Sequence, residues 1–349
     1  MLLERLSEAL GVSGAEGEVR DILMEAVRPH VDELRVDNLG NLIAFKRARG
    51  AAGRPTRVML AAHMDEIGFM ITQIEKGGLL RFRLVGGIDP RLLPAKRVVI
   101  GPQRVAGVIG FKPTHLVSPE EEQRVLDADQ LTIDIGATSK DAAAGQVQVG
   151  MTGTFATRFA ALGPAAGGRL VKGKAFDDRA GCAALAAILE GDYPLEVVGV
   201  FTVQEEVGLR GARVAAYAVQ PDVAFAFEGT ICDDLPKEKD VSPVTRIGGG
   251  PAITIADRSF IAHRGLLRLL VDTAQRQGLP YQFKEPALGG TDAGAIHLSR
   301  AGVPAAVVAV PSRYIHGPVS VLSLDDLEHT VALARATLPR LAAWPELDV

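Results

Sequence analysis

Glu205 and Glu206 stand side by side in "TVQEEVG", directly after the apolar run "LEVVGVF". Like charges at the end of a buried strand repel, and a desolvated carboxylate without a partner is costly. The pair therefore faces either solvent or a cation. Four other places carry acids or histidines in comparable positions: His63 and Asp65 in "VMLAAHMDEIG", Asp177 and Asp178 in "KAFDDRAG", Glu228 in "VAFAFEGT", and His316 in "VPSRYIHGPVSV". Each has an ordinary structural explanation when taken alone. Asp177 and Asp178 suit a helix N-cap and first turn. His63 and Asp65 suit a polar strand end, His316 a packed core histidine, and the Glu pair two surface acids before a glycine turn.

Together they supply two imidazoles and several carboxylates, each expected at one edge of an α/β sheet, where ligands gather. Hard carboxylate oxygens mixed with imidazole suit Zn²⁺, Co²⁺ or Mn²⁺. Two metals about 3.5–4 Å apart need a bridging carboxylate. Hydrolysis also needs a general base that is not itself a ligand. One glutamate of the pair then binds metal while its neighbour takes a proton from water. Asp65, two residues from His63 on an extended segment, shares its face and can fix its tautomer.

The elements that must position these residues are legible in the hydrophobic pattern. Residues 1 to about 30 read as two helical pieces broken between Gly11 and Gly17. Two strand-like stretches follow, "LRVDNLGNLIAFKR" and "TRVMLAAHMDEIGFMITQIE". From about 70 to 165, short β-like runs separated by Gly and Pro predict a small all-β domain inserted into the chain. Within it, "SPEEEQRVLDADQ" reads as a solvated, mobile loop. After about 170, apolar strands alternate with helices, which implies a sheet covered on both faces. Ser323 and the acids after it mark the start of the last helix. The expected organisation is a discontinuous catalytic domain, residues 1–70 plus 166–349, interrupted by residues 71–165.

Composition narrows the function. The chain has 349 residues and a net charge of −4, so it lacks the basic footprint of a nucleic-acid binder. Aromatic residues make up only 5%, which disfavours a base-stacking platform. Two cysteines, Cys182 and Cys232, exclude a disulfide scaffold and suit a cytoplasmic protein. The acid-bearing N-terminal stretch does not read as a signal peptide, and no stretch of 18 apolar residues predicts a membrane span.

In order along the chain, "AHMDEIGFM", "KAFDDRAG", "QEEVGLRGA", "GGTDAGAIH" and "YIHGPVSV" resemble the tetrahedral aminopeptidases, a cytosolic group of dinuclear metallopeptidases. The resemblance covers nearly the whole chain. It implies a catalytic α/β/α domain with a central mixed sheet, interrupted by a PDZ-like β domain. It also implies two divalent ions per subunit, Zn²⁺ or Co²⁺ with Mn²⁺ compatible. One ion would be held by His63, Asp177 and Glu206, the other by Asp177, Glu228 and His316, with Asp177 bridging. Family members often carry Asp at the position of Glu228. Glu205 would be the general base and acid, and Asp65 would orient His63. A cis peptide between Asp177 and Asp178 is implied as well.

In "PALGGTDAGAIH", a Gly289-Gly290 turn lets backbone approach a ligand closely. By resemblance Gly289, Gly290, Thr291 and Asp292 help position substrate, although Thr291 and Asp292 could simply cap the helix "DAGAIHLS". His30, His115, His263, His297 and His329 fall outside the expected site. The implied activity is removal of N-terminal residues from short peptides, inside a homo-oligomer, a dodecamer built from dimers. Arg246 and Arg258 are the candidate cations for an acid-specific pocket, and a neutral or broad preference is the expectation carried forward. A related dinuclear carboxypeptidase or deacylase is the first alternative, but its lid domain would follow the Glu-Glu motif. An endoglucanase-like glycosidase would leave both histidines without a task. A scaffold without metals conflicts with a competent residue at every ligand position.

Overall fold

The apolar runs form strands of two separate sheets in the computed structural model, which describes residues 1–50, 55–119, 125–163, 169–236, 244–284 and 289–343. The chain opens with helices α1 (Leu2–Glu8) and α2 (Gly17–Val27), then strands β1 (Glu33–Val36), β2 (Leu42–Lys46) and β3 (Arg57–His63). Six strands follow: β4 (Gly68–Ile74), β5 (Leu80–Val85), β6 (Arg97–Ile100), β7 (Val105–Ile109), β8 (Ile133–Asp134) and β9 (Thr152–Phe155). They close a barrel in the order β4-β5-β8-β7-β6-β9. A five-residue helix, α3 (Lys140–Ala144), interrupts this β module. It is too short to show periodicity in the sequence, and Ser139 caps it by accepting the Ala142 N–H.

The chain then returns to the first sheet with β10 (Ala160–Leu162) and β11 (Leu170–Gly173). It continues through α4 (Phe176–Ile188), β12 (Glu196–Thr202), α5 (Arg210–Val219), β13 (Val223–Cys232) and β14 (Ala252–Thr254). The last elements are α6 (Arg264–Gln277), β15 (Gln282–Lys284), α7 (Ala293–Ile296), β16 (Ala305–Arg313), β17 (Ser320–Ser323) and α8 (Leu324–Leu341). The large sheet runs β1-β2-β12-β3-β13-β16-β17-β11-β10, with β14 pairing both β16 and β15. It is mixed: β12, β3, β13 and β16 are mutually parallel, while β2 and β17 flank them antiparallel.

Strand parity divides the core. Val58, Leu60 and Ala62 of β3 face a cluster with Leu6, Leu23, Leu185, Leu269 and Leu338, whereas Met59 and Ala61 face Ala212, Ala215, Ala216 and Ile296. Helices thus cover both faces, and the structure is a mixed α/β sheet joined to a small six-stranded barrel. The barrel has its own core, in which Phe69 and Phe82 meet edge to face at 5.5 Å. Its strands lie between Gly68 and Phe155, whereas β10 already pairs with the large sheet. Of the expected mobile loop over 118–130, residues 120–124 lie outside the described residues, and Ala128–Gln130 forms a 3-10 turn. Among the described residues, no helix is long and apolar enough to cross a membrane.

Candidate active site

Parallel strands bring their C-terminal ends to one edge of the sheet, and the candidate residues collect there. His63 ends β3 and pairs in register with Thr202, the last residue of β12. On the other side of β3, Ala226 of β13 pairs with Ala61, so Glu228 reaches the level of His63. Asp177 enters from the start of α4, after a left-handed turn at Ala175 with φ 57°. Gly229 permits that approach: a Cβ there would lie 2.8 Å from Asp177 Cα. The Asp177–Asp178 peptide is cis. Asp178 turns away from the cluster and accepts the N–H groups of His63 (3.0 Å) and Gly181 (2.9 Å).

Two overlapping groups of metal-competent atoms result, His63 with Asp177 and Glu228, and Asp177 with Glu206 and His316. His63 Nε2 lies 3.2 Å from Asp177 Oδ1 and 3.6 Å from Glu228 Oε2. His316 Nε2 lies 3.5 Å from Asp177 Oδ2 and 3.6 Å from Glu206 Oε2. Asp177 therefore presents one oxygen to each imidazole. This corrects the expected division, in which Glu206 accompanied His63 and Glu228 accompanied His316. Strand neighbours do not decide this, because β12 and β13 both flank β3. Glu228 lies within β13 at the level of His63, whereas Glu206 lies past the end of β12, beyond a left-handed turn at Gln204 (φ 56°), and reaches His316. Glu205 Oε2 is 3.9 Å from His63 Nε2 and belongs to neither group.

Both imidazoles offer Nε2 to the cluster because Nδ1 is engaged elsewhere. His63 Nδ1 faces the Asp65 carbonyl at 3.1 Å, and His316 Nδ1 faces the Gly87 carbonyl at 2.8 Å. A carbonyl oxygen only accepts, so each Nδ1 carries a hydrogen, and Nε2 is the nitrogen that would present a lone pair once the imidazole is neutral. Gly87 belongs to the barrel segment after β5, and no sequence signal marks a backbone carbonyl for this role.

The electrostatics are those of a site built for cations. Burial, reinforced by neighbouring carboxylates, raises Glu205 and Glu228 well above the ordinary carboxylate range and carries Glu206 up to about 7. Burial also raises Asp292 to about 6. For His316 burial opposes the charge, but Asp177 and Glu206 outweigh it and push it up to about 10. His63 is likewise raised by Glu205, Asp177 and Asp65 against the effect of burial. Two protonated imidazoles do not balance this many buried acids, whereas divalent cations would. The donor set, imidazole nitrogen plus carboxylate oxygen, fits such ions.

Four consecutive N–H groups fix the glutamate pair. Val203 donates to Asn41 Oδ1 (3.0 Å), Gln204 to Glu16 Oε1 (3.2 Å), Glu205 to Asp65 Oδ1 (2.9 Å) and Glu206 to Asp65 Oδ2 (3.1 Å). Asp65 also accepts from Ser13 Oγ at 2.6 Å. Its carboxylate is thus committed mainly to the glutamate loop, and it reaches His63 Nδ1 only at 3.4 Å. Asn41 and Glu16 were not among the sequence candidates, because a buried acid and a buried amide far from any motif carry no catalytic signature.

A cavity of about 1060 Å³ opens on this edge, lined by the site residues together with Gly289, Gly290 and Thr291. Asp292 is fully buried behind it and accepts from Thr202 Oγ1, while its own N–H donates to Glu228 Oε1 at 3.3 Å. Its side chain makes no cap bond to α7, so helix capping is not its role. Thr291 Oγ1 instead donates to Asp257 Oδ2 at 3.1 Å. Arg246 and Arg258 are exposed and do not line the cavity; the cations on its wall are Arg91 and Lys284.

Relatives share this fold and match the chain over nearly its whole length. A TET aminopeptidase from a marine-sediment Thaumarchaeota archaeon has a TM-score of 0.91 and 38% identity, covering 97% of this chain and 96% of its own. A TET1 peptidase from Pyrococcus horikoshii, which can assemble into a tetrahedron or a large octahedral shell, has a TM-score of 0.83 and 36% identity over 97% and 98% of the two chains. The lysyl aminopeptidase of Pyrococcus furiosus is 33% identical over 97% of this chain and 96% of its own. The family model for M42 glutamyl aminopeptidase matches residues 40–333. The chain is a peptidase and belongs to the M42 glutamyl aminopeptidase family.

Proposed function

We propose that this peptidase is a metal-dependent aminopeptidase that removes N-terminal residues from peptides with a glutamate general base. One observation carries the reading: Asp177 turns one oxygen to His63 at 3.2 Å and the other to His316 at 3.5 Å, with Glu205 close by but outside both groups. His63, Asp177 and Glu228 would hold one divalent ion, and Asp177, Glu206 and His316 the other. Bound ions, Zn²⁺ or Co²⁺, supply Lewis acidity, which lowers the pKa of water and polarises a carbonyl.

Glu205 accepts the proton of the attacking water and returns it to the leaving amine. Burial disfavours its charged form, and bound cations would favour it, so its proton affinity is set by these two opposing effects. Asp65 holds the Glu205 backbone in place. The surplus of buried carboxylates attracts the cationic α-amino group of a free N-terminus, which favours exopeptidase over endopeptidase cleavage. The decisive assay is hydrolysis of aminoacyl-anilides and their N-acetylated counterparts, with and without chelator. Metal-dependent cleavage of the free-amine substrates alone is the expected result. Cleavage that survives complete metal removal would overturn the reading.

The tetrahedral or octahedral assembly of the P. horikoshii relative and the dodecamer of another TET1 structure support a homo-oligomer here, for which our reading is a dodecamer built from dimers. The barrel would be the counterpart of the family's PDZ-like module, and its exposed Phe111 and Leu116 support a role in contacts between subunits. Mass photometry separates dodecamer, dimer and monomer.

A further inference from the structure

Glu16 stands at the N-cap of α2, where a short side chain that reaches the first-turn N–H groups is preferred, yet it makes no cap bond there. It is only 5% exposed. Its Oε1 instead accepts two N–H groups, from Gly14 at 2.7 Å and from Gln204 at 3.2 Å, the second lying 188 residues further along the chain. Burial, with Asp65 nearby, raises the Glu16 carboxyl against the pull of these N–H groups. A buried acid that neglects its own helix serves the loop it reaches. Glu16 also lies ahead of residues 40–333, the part of the chain that matches the family model.

Gln204 is the residue that needs holding. Its φ is 56°, a left-handed conformation that a residue with a Cβ adopts at a cost. The turn it makes separates the two glutamates after it. Glu205 comes to 3.9 Å from His63 Nε2, whereas Glu206 comes to 3.6 Å from His316 Nε2. Asn41 takes the N–H before the turn and Asp65 the two after it. Both are committed elsewhere too: Asn41 Nδ2 donates to Asp37 and to the Gly211 carbonyl, and Asp65 accepts from Ser13. Among the described residues, the acceptor for the N–H of Gln204 itself is Glu16.

Resting on the reading of Glu205 as general base, we propose that Glu16 is a positioning residue for the reaction: it holds Gln204 in the left-handed turn and so keeps the Glu205 carboxylate beside the cluster. It acts through the backbone and belongs to neither group of metal-competent residues. The segment ahead of α2 is then part of the catalytic machinery, although it contributes no group to the chemistry.

The test compares Glu16→Ala, Glu16→Gln and the double variant Glu16→Ala/Gln204→Gly on the metal-loaded enzyme, reading kcat, KM, metal content and Tm with one aminoacyl-anilide. Glu16→Ala should lower kcat by about 10–100-fold, the effect of displacing a reacting group by about an ångström, with KM changed less than about threefold and metal content unchanged. Glu16→Gln keeps an oxygen at the position of Oε1 and should recover most of the rate. Glycine takes a positive φ without penalty, so adding Gln204→Gly to Glu16→Ala should also regain most of the loss. A purely structural role for Glu16 would give no such rescue. Gln204→Val leaves Glu16 in place but disfavours the turn, and it should lower kcat in the same way, which keeps the test open if Glu16→Ala does not fold. Wild-type kcat in Glu16→Ala or Gln204→Val, or a loss that follows metal content and is not relieved by Gln204→Gly, overturns the proposal. Glu205→Gln is measured alongside. If it stays active, the base assignment fails first; if it is inactive while Glu16→Ala is unimpaired, the positioning role alone fails.

Discussion

The carboxylate of Asp65 accepts the backbone N–H of Glu205 through Oδ1 at 2.9 Å, and its second oxygen takes the next N–H in the chain. One side chain thereby fixes the backbone of the proposed general base. Asp65→Asn would turn a donor towards one of these N–H groups. The expected result is a fall of about 10–100-fold in kcat/KM, the range seen when partners that orient a metal site are lost. Steady-state kinetics together with metal content would check it. A fall in kcat with metal content unchanged identifies loop positioning, and metal loss identifies an effect on His63.

Glu205→Gln keeps the shape of the side chain and removes its basicity. Turnover should drop by about 10²–10⁴-fold, the usual contribution of a general base. Bound metal should stay near the wild-type level, because Glu205 lies outside both groups. Glu206→Gln should instead lower the metal content. Equal metal loss in the two variants would contradict the division of labour.

Removing the ions should also cost stability. A ligand present at 100 times its Kd stabilises the folded state by about 2.7 kcal/mol. Chelation is therefore expected to lower Tm as well as activity, and adding Zn²⁺ or Co²⁺ should restore both. Differential scanning calorimetry with and without chelator is the measurement.

The strand order of the large sheet explains which parts of the site could be read from sequence. Apolar runs and turn residues are local signals, so β3, β12, β13 and β16 and the acids at their ends were all legible. Which of them are neighbours was not. Glu206 and Glu228 exchange partners relative to expectation because Glu228 lies inside β13, level with His63, while a left-handed Gln204 carries Glu206 away from the end of β12. Asn41 and Glu16 act on backbone N–H groups from far along the chain and carry no motif. Lys284 sits on a three-residue edge strand whose pairing with Thr254 brings it to the cavity, whereas Arg246 and Arg258 point to solvent despite their promising positions in sequence.

Gly229→Ala tests the close approach of helix and strand. The added Cβ would sit 2.8 Å from Asp177 Cα and 2.9 Å from the Phe176 carbonyl, both backbone atoms that cannot rotate away. Overpacking of this kind costs about 1–3 kcal/mol. Metal content and thermal stability should both fall. A variant with wild-type Tm and metal content would show that the helix start can yield.

Acid should weaken the wall next to His316. Arg313 grips Asp234 at 2.6 and 2.9 Å and, with burial opposing and the Ile247 N–H assisting, carries its pKa down to about 2 from an ordinary 3.8. A depressed carboxylate stabilises the fold above its unfolded pKa, and the benefit is lost as pH falls from about 4 to about 2. The size is at most about 2 kcal/mol, at 1.36 kcal/mol per pKa unit. Denaturant unfolding of wild type and Asp234→Asn should differ by a constant amount above pH 5 and converge below pH 4. A gap that does not narrow in acid would count against this ion pair.

The contact between His316 Nδ1 and the Gly87 carbonyl gives the barrel an unusual kind of tolerance. A main-chain oxygen survives substitutions elsewhere in the barrel that leave the backbone path unchanged, whereas a Cβ at Gly87 itself would lie 3.3 Å from His316 Nδ1. The barrel's side chains can therefore drift widely without disturbing the imidazole. Displacement is another matter, because a shift of about an ångström breaks a hydrogen bond of this length. The module is thus free in sequence and constrained in placement, and homologues should preserve where its edge sits long after they have ceased to share what it is made of.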